Sequence, residues 1–119
     1  MPDLSNSNCL FCKIRDDLIQ STKVYEDDLC FAFRDINPQA PTHILIVPRR
    51  HIASLNELHP EDAPLGGHLL VVAGVIAQRE GFADKGWRTV FNVGRDGGQT
   101  VFHIHLHVLA GRTLEWPPG

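Results

Sequence analysis

Phe102-His103-Ile104-His105-Leu106-His107-Val108-Leu109 decides how this chain is read. An extended strand turns successive side chains to opposite faces. The alternation predicts a strand over 102–109, with Ile104, Leu106 and Val108 turned to the core and His103, His105 and His107 sharing the other face. Same-face neighbours on a strand lie about 6.5–7 Å apart at the backbone, close enough for adjacent imidazoles to act on one ligand. Imidazole titrates near neutral pH and serves as nucleophile, acid, donor or metal ligand. Solvent faces of strands favour Thr, Lys and Glu, so a plain polar face is the weaker reading. A zinc ion held by the three alone is also disfavoured, because one straight strand does not converge its side chains on a tetrahedral ion with Zn–N of about 2.0–2.1 Å. Catalysis leads.

Outward from that run, the other elements follow from composition. Trp87-Arg88-Thr89-Val90-Phe91-Asn92 reads as a strand, joined to the histidine strand through Gly94-Arg95-Asp96-Gly97-Gly98-Gln99, a loop suited to unusual backbone dihedrals. Lys23–Glu26, Leu29–Arg34 and His43–Val47 are rich in β-branched and aromatic residues, and Asp27-Asp28 turns the first two into a hairpin. Leu65, Leu69, Val72 and Ile76 recur at helical spacing, predicting the main helix from about Pro60 to Glu80 with Gly81 at its stop. Gly66, Gly67 and Gly74 weaken it by up to ~1 kcal/mol each relative to Ala, so a sheet must hold it. Leu10, Phe11 and Ile14 predict a short N-terminal helix. The expected fold class is α+β: five mainly antiparallel strands with one long and one short helix, in one domain over 1–119. Residues 1–8 are expected to be disordered, and 112–119 to form a tail that docks or frays, since Pro117 and Pro118 cannot extend a ladder.

A formal net charge of −3 without runs of like charge disfavours a nucleic-acid partner. No segment has the ~18 apolar residues of a membrane span, and Met1–Ser7 lacks the pattern of a secretory signal, so a cytoplasmic, membrane-free setting is expected. Cys9, Cys12 and Cys30 are odd in number and suit a reducing compartment, with Cys9-x-x-Cys12 either metal-binding or incidental.

The run His103–Leu109 resembles the defining motif of the histidine triad superfamily. Asp35–His43, Gly97–Phe102 and Trp116-Pro117-Pro118-Gly119 look like its Hint branch, the purine nucleoside phosphoramidases. The resemblance implies a HIT-like fold and a nucleotidyl-histidine mechanism in which His105 attacks the α-phosphorus of an AMP-amine or GMP-amine and releases the amine. It implies that His43 and His107 flank the phosphate and that Asn92, Gln99 and the Thr100 hydroxyl bind its oxygens. Asp35 would accept the ribose hydroxyls, and Leu10, Phe11, Ile14 and Ile36 would form the purine slot. Thr100 stands where many relatives have Ser, and Ala110 replaces a common Gly.

No cofactor is required for this chemistry. Members with a similar Cys-Leu/Ile-Phe-Cys start imply a structural zinc on Cys9, Cys12, His51 and His103; the plainer reading is reduced cysteines packed as small hydrophobes. The family also implies a homodimer, with Trp116 reaching the partner's active site. Two rival functions are a dinucleoside polyphosphate hydrolase or nucleotidyl transferase with the same nucleophile, and a non-catalytic nucleotide-binding module.

Overall fold

The computed structural model describes residues 8–119, so the expectation of disorder over 1–8 lies outside the described residues except at Asn8, an exposed turn residue. In chain order the elements are α1 (Leu10–Arg15), β1 (Lys23–Glu26), β2 (Cys30–Arg34), β3 (Thr42–Pro48), α2 (Ala63–Glu80), β4 (Arg88–Val90) and β5 (Leu106–Ala110). The strands form one antiparallel sheet in the order β1-β2-β3-β5-β4. This is the α+β architecture expected from the sequence.

Both faces of the central strands are covered, which is why β2 and β3 read as almost unbroken apolar runs. Ala32, Ile44, Ile46, Leu106 and Val108 face α2 and pack against its Leu69, Val72, Ala73 and Ile76. Phe31, Phe33, Leu45 and Val47 face the other way, onto Phe11, Cys12 and Ile14 of α1. The alternation in β5 therefore puts Leu106 and Val108 under α2 and leaves His107 on the α1 side. Gly81 ends α2 in the left-handed conformation (φ +82), its N–H on the Ala77 carbonyl at 3.0 Å. Pro60–Asp62 is a separate 3-10 turn before α2, because three residues there close tighter bonds around Pro60.

The histidine run is only half a strand. Pairing of β3 with β5 stops at Ile46↔Leu106, and Phe102–His105 lie outside the ladder. The reason is Pro48, which has no N–H to offer. Its carbonyl is taken instead by His103 Nε2 at 2.8 Å, and Ile104 N donates to Ile52 O at 2.8 Å. The predicted strand 87–92 is likewise shortened to Arg88–Val90, leaving Asn92 beyond its end.

Candidate functional site

The α1 face of the sheet holds two groups of histidines on either side of Phe11. Its ring meets His105 edge-on at 4.8 Å between centroids and His103 at 6.1 Å. The three triad histidines thus do not share one environment, as a uniform strand would have given them. His103 is fully buried and belongs to one group; His105 and His107 belong to the other.

The second group lines a cavity of about 400 Å³ between α1, β2–β3 and the 100–107 segment. His43, Thr100, His105 and His107 stand on its polar side with Asp35, and Leu10, Phe11, Ile14 and Ile36 supply apolar wall. Ile36 is nonetheless 98% exposed, so in the single chain that wall is open to solvent. A wider cleft of about 720 Å³ beside Phe82, Trp87 and Arg88 is lined by neither histidine nor carboxylate.

Hydrogen bonds fix where each ring carries its proton. His105 Nδ1 lies 2.8 Å from the His103 carbonyl. A carbonyl only accepts, so Nδ1 is the protonated nitrogen and Nε2 keeps its lone pair. The Gln39 N–H donates to His43 Nδ1 at 3.0 Å, which puts the His43 proton on Nε2. That proton is given to His107 Nδ1 at 2.9 Å, leaving the His107 proton on Nε2; the Asn92 Nδ2 amide nitrogen 3.5 Å away is itself a donor and does not take it. The Asp35 carboxylate stands 3.5 Å from His43 Nε2 and accepts from the Asn37 N–H at 2.9 Å. Burial pushes His43 and His105 below the ordinary imidazole range and takes His107 down to about 4, helped by the neighbouring His105 and His43. All three rings are neutral at pH 7, as a nitrogen nucleophile requires.

Three expected site residues lie away from this cavity. Gln99 donates from Nε2 to Ala53 O at 2.7 Å and Val101 O at 3.1 Å, and its Oε1 accepts from Gly94 N at 3.0 Å. Both ends of the amide brace the glycine loop, so its visible job is shaping that loop. Asn92 reaches the site only through His107. Trp116 is 82% exposed and does not line the cavity of its own chain; Arg88 holds the tail through the Leu114 and Glu115 carbonyls at 3.2 and 3.0 Å.

Two contributors were not anticipated. Gln39 acts through its backbone, which no residue pattern encodes. Ser21 also lines the cavity, and its Oγ is the one buried side-chain oxygen or nitrogen without a partner among the described residues.

Cys9, Cys12, His51 and His103 form the first group, their ligand-type atoms all within 4.8 Å of one another. The separations are 3.4 Å for Cys9 Sγ–His103 Nδ1 and Cys12 Sγ–His51 Nδ1, 3.5 Å for Cys12 Sγ–His103 Nδ1 and 3.2 Å between the two Nδ1 atoms. A tetrahedral zinc with Zn–S of about 2.3 Å and Zn–N of about 2.0–2.1 Å sets its ligands about 3.5 Å apart for S–N and about 3.3 Å for N–N. The Pro48 carbonyl holds the His103 proton on Nε2 and turns the Nδ1 lone pair to the cluster, as a ligating imidazole needs. The residues present fit zinc.

An α+β sheet that sets an imidazole with a free nitrogen lone pair and a second imidazole beside it in the same cavity has the form of a histidine triad domain. The HIT domain family matches residues 17–114, and the chain belongs to that family. An uncharacterized HIT-like protein of Synechococcus elongatus is 52% identical over 114 residues, spanning 96% of this chain and 99% of its own length. The crystal structure of a HIT family hydrolase from Legionella pneumophila superposes with a TM-score of 0.92 at 54% identity, covering 94% of this chain and all of that one. A histidine triad nucleotide-binding protein from Candida albicans superposes with a TM-score of 0.78 at 31% identity, over 92% and 83% of the two chains. Among the described residues no helix is long and apolar enough to cross a membrane.

Proposed function

We propose that this protein hydrolyses the phosphorus–nitrogen bond of purine nucleoside 5′-phosphoramidates through a nucleotidyl intermediate on His105. The observation that carries this reading is the His105 Nδ1–His103 carbonyl bond of 2.8 Å, which leaves a lone pair on Nε2 of a ring lining the cavity. The hydrolase description of the Legionella relative and the nucleotide-binding description of the Candida relative support the class.

In the first half, Nε2 bonds to the α-phosphorus as the substrate P–N bond breaks. The departing nitrogen gains the proton on His107 Nε2 and leaves as an amine. The His43–His107 pair is then one proton short, a deficit balanced by the positive charge that the nucleotidyl-His105 ring acquires beside it. In the second half, water attacks phosphorus, gives its proton to the same pair, and frees the nucleotide and His105. Asp35 also offers oxygens to ribose hydroxyls, and the Thr100 hydroxyl is available to the phosphate. Cys9, Cys12, His51 and His103 would hold a structural zinc that cross-links α1 to the sheet and takes no part in the chemistry. The functional unit is a homodimer, in which the exposed Trp116 meets the partner's cavity.

The test is turnover of a nucleoside 5′-phosphoramidate against a dinucleoside polyphosphate, each repeated with His105→Ala. The reading expects the phosphoramidate to be preferred and its turnover to vanish in the variant. Preference for the polyphosphate, or retained turnover, would overturn it.

A further inference from the structure

We propose that Arg112, which lies outside the cavity, is a positioning residue for the histidine pair: it holds the Gln39 backbone so that the Gln39 N–H stays on His43 Nδ1. This deepens the proposed function and rests on that reading for its kinetic consequence. Arg112 directs Nε and Nη2 onto the Gln39 carbonyl, at 3.3 and 3.0 Å, while Nη1 donates to Thr113 O at 3.0 Å. Gln39 in turn donates its N–H to His43, and His43 to His107.

The contacts close a ring. His107 sits in β5, β5 runs through Gly111 into Arg112, and Arg112 returns through Gln39 and His43 to His107. Gly111 makes this turn possible. It has φ +98, and a Cβ there would come within 2.8 Å of Pro41 Cβ.

The segment that Arg112 holds has few supports of its own. Residues 35–41 belong to no helix or strand, and Pro38 and Pro41 have no N–H to donate. Apart from the Arg112 contact and the Gln39 N–His43 Nδ1 bond, the segment is held by Asp35 N on His43 O at 2.9 Å at its start, Asn37 N on Asp35 Oδ1 at 2.9 Å and Gln39 Nε2 on Asn37 O at 3.0 Å. If the Gln39 N–H moves away, Nδ1 is free to carry the His43 proton, and only the Asp35 carboxylate 3.5 Å from Nε2 still favours the original tautomer. With the proton on Nδ1, His43 Nε2 becomes an acceptor and His107 must donate from Nδ1. His107 Nε2 then has no proton for the leaving nitrogen. An exposed arginine contributes little to stability, so its loss should be felt in the relay more than in the fold.

The experiment uses the full chain with ¹⁵N-labelled histidine and reads ring tautomers from long-range ¹H–¹⁵N spectra, without substrate. The wild type should show His43 and His107 protonated at Nε2. Arg112→Ala should show a mixture at both rings, and Arg112→Lys should restore part of the original pattern. With a nucleoside 5′-phosphoramidate, kcat of Arg112→Ala should fall at least about tenfold while KM stays within about twofold. Unchanged tautomers in Arg112→Ala, or a change in KM alone, would overturn the proposal. Because the spectra need no substrate, a wild-type chain that fails to turn over the phosphoramidate counts against the function, and the spectra still judge Arg112.

Discussion

His103 and His105 are two residues apart, both buried, and both touch Phe11, yet they face opposite tasks. His103 gives its Nε2 proton to Pro48 O and turns Nδ1 to two thiols and a second imidazole. His105 gives its Nδ1 proton to the carbonyl of His103 and keeps Nε2 for the cavity. The ring is the same; the carbonyl that takes its proton decides which nitrogen keeps the lone pair and which way that lone pair points. The two regions share one residue, because the carbonyl that holds the His105 ring belongs to His103, whose own ring lies among Cys9, Cys12 and His51.

The sharpest way to break this contrast is to remove one ring at a time. His105→Ala should lower phosphoramidate turnover by on the order of a thousandfold or more, with metal content and melting temperature near those of the wild type. Equal loss of both metal and turnover would mean that the regions are not separable. Cys12→Ser should act the other way: elemental analysis should find zinc below stoichiometric, and the melting temperature should drop by roughly 5 °C or more. A variant that keeps its metal and its stability would return Cys9 and Cys12 to the plainer reading of packed thiols.

A smaller effect isolates one ring of the cavity by pH. His107 titrates at about 4 in the folded chain because burial and its histidine neighbours disfavour the cation, against an ordinary value of 6.5. Between those values the unfolded chain binds more protons, so the stability contributed by neutral His107 is complete above about 6.5 and declines as pH falls toward 4. Thermal melts from pH 7 to 4.5 should show a steeper acid decline in the wild type than in His107→Asn. Equal slopes would remove His107 from the account.

How much of this was legible in the sequence follows from what each residue needs. The core stripe of α2 and the apolar runs of β2 and β3 were readable because burial imposes a period, and Leu69, Val72 and Ile76 keep it. The pairing of His105 with His107 was readable for the same reason. The break of the strand before Leu106 was not, since it depends on Pro48, 58 positions upstream, lying opposite the run in the sheet. The resemblance implied Gln99 as a phosphate contact, and the folded loop brings its side chain onto backbone groups that no sequence pattern names. Gln39 was invisible for a related reason: any residue except proline could supply its N–H. The sequence resemblance named the zinc set, and the folded chain supplies the distances that make it chemically reasonable.

The most direct measurement is rapid quenching of the wild-type protein with a nucleoside 5′-phosphoramidate, followed by mass spectrometric mapping and ³¹P NMR of the adduct. The account predicts a nucleotidyl group bonded to Nε2 of His105, formed and consumed at rates compatible with turnover. An adduct on a different side chain, or steady release of nucleotide with no phosphorus ever bound to the protein, would contradict it.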